Sequence, residues 1–161
     1  MQNNILKYNY RIGDDNLNIK FRIAEEKDVD NIIELCNECF FETTDKEEAK
    51  KIFKQTVDKN NIYLVGELED KIISHAKITI IPTIYGRMGT YAILNHVCVK
   101  PEYRRKKVAT KMLDEISKIC IANNCKTMEL WSNNVRKGAH ACYKKYGFVL
   151  DDAGFFSKDI L

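Results

Sequence analysis

Between Tyr91 and Asn124 the hydrophobic pattern changes character once, and the change dictates a topology. Tyr91–Val99 reads as a strand. Lys100-Pro101-Glu102-Tyr103-Arg104-Arg105-Lys106-Lys107 follows as a short loop in which Pro101 stops strand pairing. Val108, Met112, Leu113, Ile116, Ile119 and Cys120 then trace one stripe of a long amphipathic helix, closed by Asn123-Asn124. Thr127–Trp131 returns as a buried strand. Strand, helix and strand in this spacing predict a βαβ unit.

The rest of the chain surrounds that unit with antiparallel strands and short helices. Leu17-x-Ile19-x-Phe21-x-Ile23 alternates as a half-buried strand does, and Ala24–Asp28 turns into a helix. Val29, Ile32, Ile33, Cys36, Cys39 and Phe40 recur at helical spacing. Thr43 and Thr44 with Glu47 and Glu48 mark the start of a second helix, continued by Ala49, Ile52, Phe53 and Val57 and ended by Asn60-Asn61. Ile62–Leu68 and Ile72–Ile80 flank Glu69-Asp70-Lys71 as a hairpin, and the loop Pro82–Gly89 leads into the strand at Tyr91. Lys137–Tyr146 is a short helix stopped by Gly147, and Phe148–Ile160 a last strand or hairpin. The expected class is α/β (α+β), with a mixed, mostly antiparallel central sheet flanked by helices on both faces.

At 161 residues the chain has room for one domain, 1–161, and not two. Its apolar runs fall far short of the roughly 20 residues that cross a bilayer, so no membrane partner is expected. Met1–Tyr10 carries Asn, Lys and Tyr where a secretory signal needs an apolar core, which reads as a cytoplasmic protein. The six cysteines are then reduced thiols. Cys36-x-x-Cys39 lacks a second such pair or histidines at zinc spacing, so no metal is expected. Lys+Arg 26 against Asp+Glu 23 gives +3, too small to indicate a nucleic-acid partner, and no recognition-helix pattern lies beside the basic loop. The positive charge is unevenly placed, however.

That unevenness carries chemistry. The first-turn N–H groups of a helix lack intrahelical acceptors, and the macrodipole adds about half a positive charge there. Lys100, Arg104, Arg105, Lys106, Lys107 and Lys111 cluster at the same end, opposed only by Glu102. A helix start favours acidic residues, so a run of cations there asks for a bound anion. A diphosphate fits best, because successive N–H groups reach both phosphoryl groups while Arg and Lys neutralise the rest.

Val97-Cys98-Val99-Lys100-Pro101-Glu102-Tyr103-Arg104-Arg105-Lys106-Lys107-Val108-Ala109 resembles the acetyl-CoA-binding motif of the GNAT superfamily of N-acetyltransferases, whose loop reads Arg/Gln-x-x-Gly-x-Gly/Ala. Arg136-Lys137-Gly138-Ala139-His140-Ala141-Cys142-Tyr143-Lys144-Lys145-Tyr146-Gly147-Phe148 is similar to that superfamily's late motif, and Phe21-Arg22-Ile23-Ala24 with Asp28 to its opening strand and helix. The resemblance covers roughly residues 19 to 150. It implies an acetyl-CoA-dependent N-acetyltransferase in which acetyl-CoA is cosubstrate and a small-molecule or peptide amine is acceptor. The cofactor-binding positions it implies are Val97, Cys98, Val99, Arg104, Arg105, Lys106, Lys107, Val108, Ala109 and Thr110, with Asn133, Asn134, Lys137 and Tyr143. The backbone of Val97–Val99 would pair with the pantetheine arm, and Tyr143 would donate a proton to the departing thiolate. The acceptor would lie between Phe40–Thr44 and the loop Pro82–Tyr91, which carries Tyr85, Arg87 and Met88.

Two positions depart from the pattern. Lys107 stands where the first glycine of the loop is usual, and Ala109 at the second. Asn95 stands where many relatives carry a glutamate base, and Asn95 cannot accept a proton. His96 is the nearest group able to do so at neutral pH, although strand alternation sets it on the face opposite Asn95 unless a bulge intervenes. These departures keep a second reading open, a catalytically silent acyl-CoA-binding module. Association into a homodimer also stays open.

Overall fold

Glu69 and Asp70 both take left-handed backbone, with φ 49° and 59°, so Leu68 and Lys71 pair directly across a two-residue turn. The strands it joins, β2 (Asn61–Leu68) and β3 (Lys71–Ile81), belong to a five-stranded sheet with β1 (Lys20–Ile23), β4 (Tyr91–Val99) and β5 (Met128–Leu130), in the order β1-β2-β3-β4-β5. The contacts are antiparallel except β4 with β5, which is parallel. The computed structural model describes residues 17–84, 89–152 and 157–160. It divides into two compact units, one ending at Leu130 and containing the sheet, the other beginning at Trp131.

α1 (Val29–Phe40) and α2 (Lys46–Thr56) cover one face of the sheet, where Val29, Ile32 and Phe53 bury against Val65. α3 (Val108–Ala122) is the crossover between β4 and β5. Of its expected stripe, Val108, Met112, Leu113, Ile116 and Cys120 are buried and Ile119 is half-buried. On β3 the residues of opposite parity to Val65's partner His75, namely Ala76, Ile78 and Ile80, are buried too, which leaves α3 to cover the second face. The mixed, mostly antiparallel sheet with helices on both faces is therefore present. Among the described residues no helix is long and apolar enough to cross a membrane.

A charged knot joins β1, β2 and the start of α1. The Arg22 guanidinium reaches Asp28 Oδ2 and Oδ1 at 2.6 and 3.0 Å and Glu67 Oε2 at 2.7 and 2.9 Å, while the Glu25 amide donates to Asp28 at 2.8 Å. The guanidinium holds the buried Asp28 carboxyl below its ordinary range. Removing either partner would leave the other charge unpaired in a low-dielectric site.

Several boundaries differ from the sequence reading, among them β5, which spans only the half-buried Met128–Leu130 and leaves Trp131 exposed. β1 begins at Lys20 and not Leu17, because its partner β2 ends one residue past Glu67 and offers no further edge. α2 is capped by Asp45, whose carboxylate accepts from the Glu48 amide at 2.8 Å, and not by Thr43 or Thr44. Residues 148–152 and 157–160 form no strand, and Val149 and Leu150 are exposed. An alternating pattern becomes a strand only where a neighbouring edge completes its hydrogen bonds.

His75 lies buried in the sheet, 1% exposed. Its Nδ1–H donates to Leu64 O at 3.0 Å, its ring stacks on Tyr63 with centroids 6.2 Å apart, and burial pushes its pKa down to about 4. The folded protein thus keeps it neutral while the unfolded chain takes up a proton below about 6.5. Stability falls as pH drops from about 6.5 to about 4, by about 3 kcal/mol in all, and this contribution levels off below. Urea unfolding of His75→Gln, which keeps a donor for Leu64 O, will show a shallower acid slope than the parent over that window; equal slopes would refute the assignment.

Candidate active site

Across β3 and β4, Lys77 pairs with Asn95 and His75 with Cys98, so His96 and Val97 together oppose Ala76 alone. His96 takes φ 53°, and β4 is bulged there. The extra residue resets the alternation, placing Asn95 and Cys98 on the same α1–α2 face. His96 is exposed yet turns to that face as well, meeting the ring of Phe40 edge-on with centroids 6.3 Å apart. The bulge thereby overturns the opposite-face expectation for Asn95 and His96. Desolvation and the Lys77 ammonium hold the His96 imidazole below its ordinary pKa, against a smaller opposing pull from Glu42. At neutral pH the ring is therefore a neutral base.

The same bulge coincides with the end of strand pairing on the other side. β5 accompanies β4 only along Ala92–Leu94, and from Asn95 to Val99 the edge of β4 toward β5 has no partner strand among the described residues. Its peptide groups are positioned to pair with an extended ligand. Val97 is half-buried, whereas Cys98 and Val99 point into the protein. A ligand would meet these two through their backbone.

Beyond β4 a 3-10 turn at Pro101–Tyr103 delivers the chain to Arg104. Arg105 and Lys107 then both adopt left-handed backbone, at φ 60° and 59°, before α3 opens at Val108. The first α3 bond runs from the Lys111 amide to Lys107 O at 3.0 Å, so the amides of Val108, Ala109 and Thr110 precede the ladder. Left-handed residues alternating with ordinary ones turn successive N–H groups inward into an anion-binding concavity. The Val108 side chain is core, Ala109 is half-buried and Thr110 exposed.

The cations at this end do not all face it. Arg104 turns back, with Nε donating to Val99 O at 3.0 Å and Nη2 reaching Cys39 Sγ at 3.4 Å. Lys100 pairs with Glu102 at 3.1 Å, Lys111 donates to Leu17 O at 2.9 Å, and the Lys106 ammonium lies 5.6 Å from the centre of the Tyr103 ring. Arg105 is exposed and has no such tie among the described residues. The backbone amides, the helix end and Arg105 are what remain for an anion, fewer than the sequence cluster suggested.

In the second unit, α4 (Lys137–Tyr146) follows an asparagine turn in which Asn133 Oδ1 accepts from the Val135 amide at 3.0 Å and Asn133 O from the Arg136 amide at 3.0 Å. Asn133, Asn134 and Lys137 are exposed. His140 Nε2 donates to Ser132 O at 3.2 Å. Tyr143 is half-buried, its ring edge-on to Phe148 at 5.7 Å, and Gly147 ends the helix at φ 113°. Tyr85, Arg87 and Met88, expected near the acceptor, lie outside the described residues. Sequence reasoning missed the Cys39–Arg104 contact and the left-handed Arg105, since neither leaves a periodic signal.

A model of the acetyltransferase (GNAT) family matches residues 29–148, well over half of the chain. A comparison with curated proteins gives no match. Among solved structures the chain is similar to a transcriptional regulator from Bacillus halodurans C-125 (TM-score 0.80, 18% identity, covering 88% of this chain and 99% of that one). It is also similar to a predicted acetyltransferase with acetyl-CoA from Clostridium acetobutylicum (0.71, 21%, 87% and 96%). A third is glucosamine-6-phosphate N-acetyltransferase from Arabidopsis thaliana (0.73, 21%, 88% and 98%). At these identities the structural likeness speaks to fold.

Left-handed backbone costs a residue with a Cβ about 1–2 kcal/mol, which glycine avoids. Lys107→Gly and Lys107→Ala remove the same side chain, yet the glycine variant will be the more stable of the two by about 1 kcal/mol in urea unfolding. Equal stabilities would mean that position 107 is not held left-handed.

Proposed function

Since the chain belongs to the GNAT acetyltransferase family, we propose that it transfers an acetyl group from acetyl-CoA to the primary amine of a small molecule or peptide by direct attack. The observation that carries this reading is the continuity of three features in one stretch: a bulged strand, an edge left unpaired beyond Leu94, and a left-handed loop opening on the amides of α3. These residues fit the cosubstrate. The amides from Arg105 to Thr110 with the Arg105 guanidinium hold its diphosphate, and the peptide groups of Asn95–Val99 pair with its pantetheine arm. The resemblance implies further polar contacts from the exposed Asn133, Asn134 and Lys137. When bound, the thioester supplies an activated acyl carbon.

This chain's own groups supply the rest. A ring nitrogen of His96, neutral at pH 7, takes a proton from the acceptor amine, a role that the Asn95 amide cannot fill. An N–H on the open edge of β4 donates to the carbonyl oxygen as negative charge builds there. The Tyr143 phenol returns a proton to the departing sulfur. An amine acceptor is supported by the glucosamine-6-phosphate N-acetyltransferase among the similar structures.

Calorimetric titration with acetyl-CoA, together with thiol release across a panel of amines, tests the proposal. Arg105→Glu should weaken binding at least about tenfold, or about 1.4 kcal/mol. Undiminished affinity would remove the basis of the site. Tyr143→Phe should lower kcat about a hundredfold with affinity intact, as loss of a general acid does. Tight binding without thiol release for any amine, and no effect of Tyr143→Phe, would instead identify the silent module.

A further inference from the structure

Three thiols and a guanidinium gather on the α1 side of β4, and acyl transfer uses none of the thiols. Cys36 and Cys39 lie one turn apart on α1, and the β4 bulge turns Cys98 toward them. Cys36 Sγ is 4.0 Å from Cys98 Sγ, Cys39 Sγ is 3.5 Å from Val99 O, and Arg104 Nη2 is 3.4 Å from Cys39 Sγ. Cys98 is buried, whereas Cys36 and Cys39 are half-buried. A guanidinium in contact with one sulfur repels a metal cation, and it stabilises a sulfur anion.

We propose that Cys39 is a site of oxidation by peroxides, and that Cys98 resolves the oxidised sulfur into a Cys39–Cys98 disulfide. Hydrogen bonding from the Cys98 thiol and the Arg104 guanidinium holds the Cys39 thiol below its ordinary pKa, outweighing partial burial and the neighbouring Glu38 carboxylate. Cys98 moves the other way, raised by its two thiol neighbours and by burial, and so stays protonated. One sulfur is thus the nucleophile and the other holds a proton. In the first step the Cys39 thiolate attacks a peroxide oxygen; the O–O bond breaks, a sulfenic acid forms, and hydroxide or alkoxide leaves. In the second the Cys98 sulfur attacks Cys39 Sγ; the S–S bond forms, the S–O bond breaks, and the hydroxyl departs as water with the Cys98 proton. Two thiols lose two electrons and the peroxide gains them.

The inference is independent of acyl transfer, and its test needs no acceptor. The full chain is treated with equimolar hydrogen peroxide, with dimedone as sulfenic-acid trap in a parallel reaction, and its cysteines are mapped by peptide mass. Cys39 should react at least about tenfold faster at pH 7 than Cys142, and the product should be a Cys39–Cys98 disulfide that Cys36→Ser retains and Cys39→Ser abolishes. Arg104→Gln should slow the reaction and move its pH profile to higher pH. Cys39→Ser and Arg104→Gln alter positions outside the buried core, so they keep the test decisive if Cys98→Ser fails to fold. Equal reactivity of Cys39 and Cys142, an unshifted profile in Arg104→Gln, or a Cys36–Cys98 disulfide as the main product would each overturn the proposal.

Discussion

The bulge at His96 is the constraint on which the rest of the first unit rests. With side chains alternating strictly, Asn95 and Cys98 would lie on opposite faces; with one extra residue both face α1. The shift brings the Cys98 thiol within reach of Cys36, lets His96 meet Phe40, and turns β4 where its pairing with β5 ends. A bulge of this kind bends the strand and raises its local twist, which works against continued parallel pairing. An open strand edge is normally an aggregation hazard; under the proposed function it is where an extended ligand pairs.

The second organising term is electrostatic. Cations at a helix start oppose the macrodipole, so the loop before α3 would be costly if all of them faced it. The structure relieves that in part: Lys100, Arg104 and Lys111 turn to a carboxylate or to backbone carbonyls. The positive field near the α3 amides then comes from Arg105 together with the peptide dipoles, which cannot swing away as long side chains do. An anion bound there meets preorganised donors and need not order a set of flexible cations.

How much of this the sequence displayed depends on whether a residue's role is local. The α3 stripe from Val108 to Cys120 and the β2–β3 hairpin were legible, because each follows a periodic pattern, although the turn is Glu69 and Asp70 alone and Lys71 already belongs to β3. The cap of α2 was misplaced by one or two residues, since Thr43, Thr44 and Asp45 are all competent and only geometry chooses. The strand expected at Phe148–Ile160 is absent from its described residues, 148–152 and 157–160, for a different reason: a strand needs a neighbouring edge as well as its own sequence. Within the site, the basic loop was visible as composition, but the direction of each side chain was not. Cys36 and Cys98 stand far apart in sequence, and only the bulged register brings their sulfurs to 4.0 Å.

Lys107 and Arg105 make the loop's conformation an argument in itself. Two residues with side chains sit in a region that costs each about 1–2 kcal/mol, where glycine would sit without strain. Such backbone persists only when its surroundings fix it, and both ends of this loop are fixed. At one end Arg104 ties to Val99 O and Cys39; at the other the Lys111 amide takes Lys107 O into the first turn of α3. The strain is therefore confined between a strand terminus and a helix start that the core already holds rigid through Val99, Val108 and Met112. A glycine loop would reach the same shape but would also visit others. The charged residues limit that freedom and leave the amides aimed before any ligand arrives, so the departure from the glycine pattern is compatible with a formed anion site.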